Sequence, residues 1–172
     1  ILQMPPHAAP PPLVVALEEG SQTPSVSIKG VTLHSGDILV SRGGAPTSAL
    51  IARGNDFPGN FSHIALFYVD PNTHQAKTVE AHIERGVTVS PFDEYLSDKK
   101  LRVMVLRLRS DLPQLKQDPM LPHKAAEMAF KNAMEKHIPY DFEMNYKDPS
   151  KLFCSEVASS VYTVHGVKLW MG

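Results

Sequence analysis

The chain has 172 residues, of which 42% are hydrophobic and 20% charged, and its formal net charge is −1 at pH 7. This composition is that of a globular domain with one sizeable core, and it provides no broad attraction for nucleic acid or acidic membranes. No run of about eighteen apolar residues predicts a membrane-spanning helix, and a single cysteine excludes an internal disulfide or a cysteine-based zinc site in this chain.

The amino-terminal segment differs in composition from the rest of the chain. Residues 1–30 contain six prolines and little amphipathic period, so we expect an extended lead-in there and one domain over 31–172. The chain does not begin with methionine and has no basic leader before an apolar stretch. We therefore expect that a leader was removed or that a longer protein was trimmed.

The next predicted elements lead to a histidine on a strand. Residues 46–53 predict a short helix, and the turn-rich residues 54–60 predict a loop that delivers the chain to His63. The β-branched and aromatic run over 60–69 predicts a buried strand with His63 near its beginning. After a turn, the alternating run over 77–83 predicts the hairpin partner of that strand.

This predicted hairpin places a histidine beside a carboxylate. Thr78, Glu80 and His82 share one face of the second strand, so Glu80 is expected near the ring of His63. A carboxylate in that position accepts a proton from the imidazole and fixes its tautomer and direction. His82 is the alternative third polar group. We favour Glu80 because a carboxylate best stabilises an imidazolium in a transition state.

The remaining elements alternate strands with helices. Strands are predicted over 87–89 and 101–108, and helices over 123–136 and 150–165, the last ended by Gly166. The apolar stripe of the first helix consists of Ala126, Ala129, Phe130, Ala133 and Met134. The arginines expected to point outward or to pair with carboxylates are Arg102, Arg107 and Arg109. This order predicts an α+β domain in which helices pack on an antiparallel sheet.

The only cysteine follows a helix-start signal. Asp148 or Ser150 can cap the last helix and Pro149 suits its first position, so Cys154 is expected in or near the opening turn. The positive end of the helix dipole favours the thiolate, which is the nucleophilic form. A lone free cysteine is more often a buried apolar filler. Its combination with the predicted histidine–carboxylate pair favours a nucleophile that attacks a carbonyl carbon.

Five motifs, in this order, resemble the YiiX/YaeF-like branch of the NlpC-type papain-like hydrolases. They are Gly36-Asp37-Ile38-Leu39-Val40, Ser62-His63-Ile64-Ala65-Leu66, Val79-Glu80-Ala81 with Gly86-Val87, Pro139-Tyr140-Asp141-Phe142 and Leu152-Phe153-Cys154-Ser155-Glu156. In that branch the papain-like order is circularly permuted, so the histidine and its polar partner precede the cysteine, as they do here. The resemblance implies a permuted papain-like fold with Cys154 as nucleophile at a helix N-terminus, His63 as general base and then acid, and Glu80 as its orienting residue.

The resemblance also implies a function and a compartment. It implies a cysteine amidase or peptidase that cleaves peptide-like bonds, including those of cell-wall stem peptides, through an acyl-enzyme. It favours a bacterial cell-envelope, periplasmic or secreted location, and no cofactor, metal or nucleic-acid partner is expected. The first candidate donor to the oxyanion is the backbone N–H of Cys154, which lies at a helix start. Tyr140 is a candidate for the second donor only by its place in the matching motif. The alternative role of Tyr140 is a buried aromatic residue.

Three alternative functions stay open. Related permuted members act on lipid acyl groups, which makes a lipid-directed acyl hydrolase or acyltransferase the first alternative, and its candidate pocket residues are Phe61, Phe67, Phe142 and Phe153. A metal-dependent hydrolase with ligands from His63, Glu80, His82 and His34 is disfavoured because no compact His-Glu-x-x-His motif occurs. A non-catalytic binding domain is disfavoured because the cysteine, histidine and glutamate are all present.

Overall fold

The structure is a computed structural model that describes residues 21–43, 61–98, 100–143, 145, 147–148, 150–152 and 154–169, with the backbone alone at Leu101. The helix expected over 46–53 and the loop expected over 54–60 lie outside the described residues, as does Phe153. None of the described helices is long and apolar enough to cross a membrane.

Within the described residues, seven strands form two antiparallel sheets. A two-stranded hairpin pairs β1 (Ser25–Ile28) with β2 (Val31–His34). The five-stranded sheet contains β3 (Ile38–Gly43), β4 (His63–Val69), β5 (Ala76–His82), β6 (Gly86–Pro91) and β7 (Lys100–Leu106). Its order is β6-β5-β4-β3-β7, and every pair of neighbours in it is antiparallel. The hairpin of β4 and β5 expected from the sequence is confirmed, with Ala65 opposite Glu80.

Four described helices accompany the sheets. They are α1 (Phe92–Ser97), α2 (Pro113–Gln117), α3 (Leu121–Glu135) and α4 (Cys154–Val164). The helix predicted over 123–136 corresponds to α3 and begins two residues earlier, and the one predicted over 150–165 corresponds to α4. Gly166, at a φ of +80°, follows α4 as expected. Neither α1 nor α2 was predicted.

The two faces of the five-stranded sheet carry separate apolar clusters, because successive side chains of a strand point to opposite faces. On one face, residues such as Leu66 and Val79 pack with α3 and α4. On the other face, Phe67 and its neighbours pack with α1 and with the β1–β2 hairpin. The central strand β4 is therefore buried on both sides, which explains its nearly continuous apolar sequence.

Residues 25–28, which belong to the segment expected as an extended lead-in, form β1 and contribute Val26 and Ile28 to the second cluster.

The prediction of the apolar stripe of α3 was wrong for one residue. Met134 is 64% exposed, because it lies at the margin of the stripe that Ala126, Ala129 and the partly buried Phe130 and Ala133 direct toward the sheet.

Helix α4 runs along β4, and this sets the position of the cysteine. Near the end of α4, the Tyr162 hydroxyl donates a hydrogen bond to the Gly36 carbonyl at 2.5 Å, and the Gly36 N–H donates to Phe67 O at 2.8 Å. The other end of α4 therefore lies at the beginning of β4. Cys154, the first residue of the helix, is thereby brought to the same end of the sheet as His63.

Candidate active site

The residues before α4 are hydrogen-bonded to the segment around Tyr140. Helix α4 therefore begins at Cys154 and not at the predicted residue 150. The Leu152 N–H donates to Pro139 O at 3.1 Å, and the Asp141 N–H donates to Leu152 O at 3.2 Å. Asp148 accepts hydrogen bonds from the backbone N–H and hydroxyl of Ser150, so it closes a turn instead of capping the helix. Cys154 is consequently the first helical residue, where backbone N–H groups lack acceptors within the helix.

The structure brings together the three residues predicted for catalysis. The His63 Nε2–H donates to Glu80 Oε2 at 2.5 Å. The ring of His63 is also hydrogen-bonded to Cys154. Since Glu80 occupies Nε2, this hydrogen-bond pattern assigns the other ring nitrogen, Nδ1, to the cysteine. Glu80 is buried, whereas His63 and Cys154 are half-buried and accessible from one side.

The contacts of the pair favour its charged form. Burial lowers the pKa of His63, but the hydrogen bonds to Cys154 and Glu80 outweigh burial and raise that pKa from 6.5 to about 9. Burial raises the pKa of Glu80, but its hydrogen bond with His63 and its contact with His82 outweigh burial and hold that pKa well below its usual range. The geometry therefore favours an imidazolium between a carboxylate and the sulfur.

His82, the alternative third polar residue, lies on the far side of Glu80. Its Nε2 is 3.5 Å from Glu80 Oε1, and its ring centroid is 5.9 Å from that of His63. Within the described residues, this buried Nε2 has no hydrogen-bond partner of good geometry. Thr78 donates to the same Glu80 oxygen at 3.4 Å. Glu80 is thus the hydrogen-bond partner of His63, whereas His82 contacts Glu80 from the other oxygen and the ring of His63 from the side.

Tyr140 lies beside the cysteine, as its place in the sequence suggested. Tyr140 is paired with Leu152, two residues before Cys154, and burial, followed by the charge of Cys154, raises its pKa. The ring of Tyr140 packs edge-to-face on Phe142 at a centroid distance of 5.1 Å. Phe142 is 69% exposed and forms an apolar rim beside Tyr140. The candidate pocket residue Phe67, in contrast, is fully buried in the cluster under α1.

The comparisons with known proteins agree with this geometry. A family model described as "Permuted papain-like amidase enzyme, YaeF/YiiX, C92 family" matches residues 32–170. The chain belongs to this family. It is an enzyme of the cysteine amidase and peptidase class, and the resemblance inferred from the five motifs is confirmed.

A solved structure supports the fold of this permuted amidase. It is titled "Crystal structure of metalloprotein yiiX from Escherichia coli O157:H7, DUF1105" and aligns with a TM-score of 0.63 at 20% sequence identity. The alignment covers 80% of this chain and 69% of the other. The predicted α+β, permuted papain-like fold is therefore confirmed. Among curated proteins, no significant match is found.

The metal ligands considered for this amidase do not form one cluster. His34 lies by the β1–β2 hairpin, where its ring Nδ1 is 3.2 Å from Thr23 O and its backbone N–H donates to Asp37. His63 pairs with Ser41, toward the other end of β3. In the described part of the chain, no group of three or more His, Cys, Asp or Glu side chains is arranged to hold a metal ion.

Sequence reasoning missed several residues that support the site. The buried carboxylate of Asp141 accepts N–H groups of Glu143 at 2.9 Å and Asn145 at 2.6 Å, so it shapes the loop that carries Tyr140. Tyr95 of α1 lies close to Glu80, since burial and then the charge of Glu80 raise its pKa to about 12. Asp141 stands in one of the five motifs and Thr78 alternates onto the face of Glu80, but neither was assigned a role in the site.

Proposed function

We propose that the chain hydrolyses an amide bond with Cys154 as nucleophile, His63 as proton-transfer group and Glu80 as the residue that orients His63. The observation that carries this proposal is the chain of contacts from Glu80 through His63 to a cysteine at the first residue of a helix. Membership of a permuted papain-like amidase family supports the amide as the bond cleaved.

The proposed reaction has two halves. The Cys154 thiolate attacks the carbonyl carbon, the C–N bond breaks, and the His63 imidazolium gives its proton to the leaving amine. His63 then takes a proton from water, whose oxygen attacks the thioester, and the acid product leaves as the thiolate is restored. Glu80 holds the ring in one tautomer and stabilises its charge throughout.

The developing oxyanion needs fixed donors near the sulfur. The backbone N–H of Cys154 is the first candidate because the residue opens a helix. We assign the Tyr140 hydroxyl as the second candidate, supported by the nearness of Tyr140 to Cys154. The substrates proposed first are peptide-like amides, including those of cell-wall stem peptides.

The test is the pH dependence of Cys154 alkylation by iodoacetamide, followed by intact mass, in the wild type and in His63→Ala. We expect the wild-type thiol to react with iodoacetamide at pH values well below the ordinary thiol pKa of about 8.5. At pH 6, the alkylation rate of His63→Ala should be lower than that of the wild type by about tenfold or more. His123→Ala is the control, because His123 is a second buried histidine, in α3, and its Nδ1 contacts the hydroxyl of Ser35 at 2.8 Å. Alkylation that is equally fast in wild type and His63→Ala would refute the pair.

A lipid-directed acyl hydrolase or acyltransferase is the second candidate, and the exposed Phe142 favours it. An aromatic ring 69% exposed beside Tyr140 offers an apolar surface to an acyl chain. Turnover that rises with acyl-chain length would select this candidate, and turnover confined to peptide amides would select the first.

The similar structure from Escherichia coli is titled a metalloprotein, so the metal content of the purified protein is measured in the same experiment. We expect thiol-dependent turnover to survive chelation, since the proposed mechanism uses only Cys154, His63 and Glu80. Loss of turnover on chelation, with recovery on adding a metal back, would replace the thiol mechanism by a metal-dependent one.

A further inference from the structure

Two arginines face each other across neighbouring strands of the sheet. Arg42 of β3 lies directly opposite Arg102 of β7, one position from a register shift between Arg42 and Gly43. Residues directly opposite on antiparallel strands point to the same face, and like charges in that position repel each other. Arg102 is exposed and Arg42 half-buried, so water screens part of this repulsion, and a compensating anionic group would remove the rest.

The described residues contain no such group. Arg107 and Arg109, which follow β7, pair with Asp37 and Asp111, whereas no described carboxylate lies within ion-pair distance of Arg42 or Arg102. The Nε of Arg42 is buried and has no hydrogen-bond partner among these residues. Buried donors without a partner are rare in proteins, so this Nε is available to a group outside the described residues, such as a bound anion.

The pair lies at the end of the sheet that carries the candidate active site. Arg42 follows Ser41, which is opposite His63, and it is two positions from Val40, which packs with the α3 and α4 cluster. Alternation then points Arg42 to the face covered by α4, and Arg102 with it. Ser41 and His63 point to the opposite face, so the arginines are reached only by a substrate that extends from Cys154 of α4 on this face across the ends of β3 and β7.

We propose that Arg42 and Arg102 together bind an anionic group of the substrate, a carboxylate or a phosphate, at the end of the sheet where α4 begins. Guanidinium groups bind both anions through paired hydrogen bonds, and one anion between the two arginines offsets their repulsion and satisfies the buried Nε. The proposal deepens the proposed hydrolase function, since it gives the substrate a negative charge away from the scissile bond. A peptide carboxylate and a lipid headgroup phosphate are its two possible sources.

The first test measures binding and needs no active thiol. Melting temperatures are recorded with N-acetylglycine, a carboxylate probe, with glycerol 3-phosphate, a phosphate probe, and with their neutral analogues N-acetylglycinamide and glycerol. We expect one anion to raise the melting temperature of the wild type while its neutral analogue does not. The better anion identifies the source, because N-acetylglycine represents a peptide and glycerol 3-phosphate a phosphorylated lipid.

The variants are Arg42→Gln, Arg102→Gln and the double substitution, with Lys116→Gln of α2 as a control that removes an exposed positive charge elsewhere. We expect the dissociation constant of the better anion to rise about tenfold or more in the double variant, and to stay unchanged in Lys116→Gln. Without anion the double variant should melt no lower than the wild type, since the repulsion is removed. An anion effect that is absent from the wild type, or that persists in the double variant, would overturn the subsite.

The second test connects the subsite to Cys154. We expect the better anion to slow iodoacetamide alkylation of Cys154 in the wild type and not in the double variant. Binding without any effect on alkylation would place the anion away from the site and overturn its role in substrate binding. If Cys154 is inert in every variant, the proposed hydrolase function is refuted. The melting temperatures still test the anion subsite in that case, so the two failures are distinguishable.

Discussion

At the scale of single residues, Glu80 controls the charge of the site. It is buried between two histidines, with His63 on one carboxylate oxygen at 2.5 Å and His82 at 3.5 Å from the other. A buried carboxylate in such a position stabilises protonated imidazole strongly, because little water screens the interaction. The elevated pKa of His63 should therefore depend on the charge of Glu80 and not merely on its shape.

Replacing Glu80 by glutamine tests this dependence. Glu80→Gln keeps the side-chain volume and removes the negative charge, so we expect the pKa of His63 to fall from about 9 toward 6.5. The imidazolium is present below its pKa and lost above it, so the alkaline limb of turnover, near pH 9 in the wild type, should move to lower pH. Nuclear magnetic resonance of the histidine ring carbons measures the pKa directly.

The same ring contributes to stability with a defined sign. Its folded pKa is raised, so the stabilisation it provides is complete below about 6.5 and is lost as the pH rises through about 9. The control is Glu127→Gln, because Glu127 contacts His123 and Lys131 and should leave His63 unchanged. A His63 pKa that stays near 9 in Glu80→Gln would contradict the assignment.

The residue-scale prediction from the sequence was most successful where a residue belongs to a regular pattern. The alternation of β5 placed Glu80 beside His63, and the helix-start signal placed Cys154 near a helix opening. Asp141 and Tyr95 were not predicted as parts of the site. Each of them acts through contacts between segments distant in sequence, and such contacts have no local pattern.

At the scale of elements, the turn between β5 and β6 supports the segment that leads to the cysteine. Gly86 has a φ of +72°, and a Cβ on it would collide with the carbonyl oxygen of Ile138. The same oxygen accepts the Val87 N–H at 2.8 Å. Ile138 lies two residues before Tyr140. The close approach at Gly86 therefore fixes the position of the segment that carries Tyr140 toward Cys154.

A pair of glycine substitutions separates this close approach from backbone strain. Gly30 has a φ of +78° but no atoms within 4 Å of a Cβ, so Gly30→Ala should cost only about 1 kcal/mol for the left-handed backbone. Gly86→Ala should cost about 1–3 kcal/mol more, because the Ile138 segment must move, and it should slow Cys154 alkylation. Urea unfolding and iodoacetamide kinetics measure the two effects. Equal costs for both substitutions would show that Ile138 yields freely.

Element prediction failed for short helices and for a helix start. Helices α1 and α2 have six and five residues, too few to display a helical period. The start of α4 was predicted too early because Asp148 and Ser150 form a turn of their own, and Leu152 is bonded to the Tyr140 segment. A capping signal and a turn signal use the same residue types, so tertiary pairing decided between them.

At the scale of the whole molecule, the order of the five motifs was sufficient to predict a permuted papain-like fold, whereas the strand order β6-β5-β4-β3-β7 was not predicted. The edge position of β7 depends on its pairing with β3, and residues 38–43 and 100–106 are far apart in sequence. Such a pairing is selected by burial on both faces of the sheet, which no single segment encodes.

The ion pair between Asp37 and Arg107 connects the β1–β2 hairpin to the five-stranded sheet. Asp37, only 1% exposed, accepts Arg107 Nε at 2.8 Å and Nη2 at 2.7 Å, and its Oδ2 also accepts the His34 N–H. Arg107 Nη2 further donates to Thr32 O at 3.2 Å. The contacts join β2, the start of β3 and the segment after β7. The hairpin in turn covers the second apolar cluster, so its attachment concerns the stability of the whole domain.

Removing Arg107 should therefore destabilise the fold far more than cutting an exposed ion pair. Arg107→Ala leaves a buried carboxylate without its cation, and we expect the free energy of unfolding to fall by about 3 kcal/mol. Lys124→Ala, which breaks the exposed pair with Asp118, should cost less than about 1 kcal/mol. Adding Asp37→Asn to an Arg107→Gln variant should recover part of the loss, because no uncompensated charge then stays buried. Urea unfolding measures the wild type and the four variants. An Arg107→Ala cost no larger than that of Lys124→Ala would show that the hairpin is held by apolar contact alone.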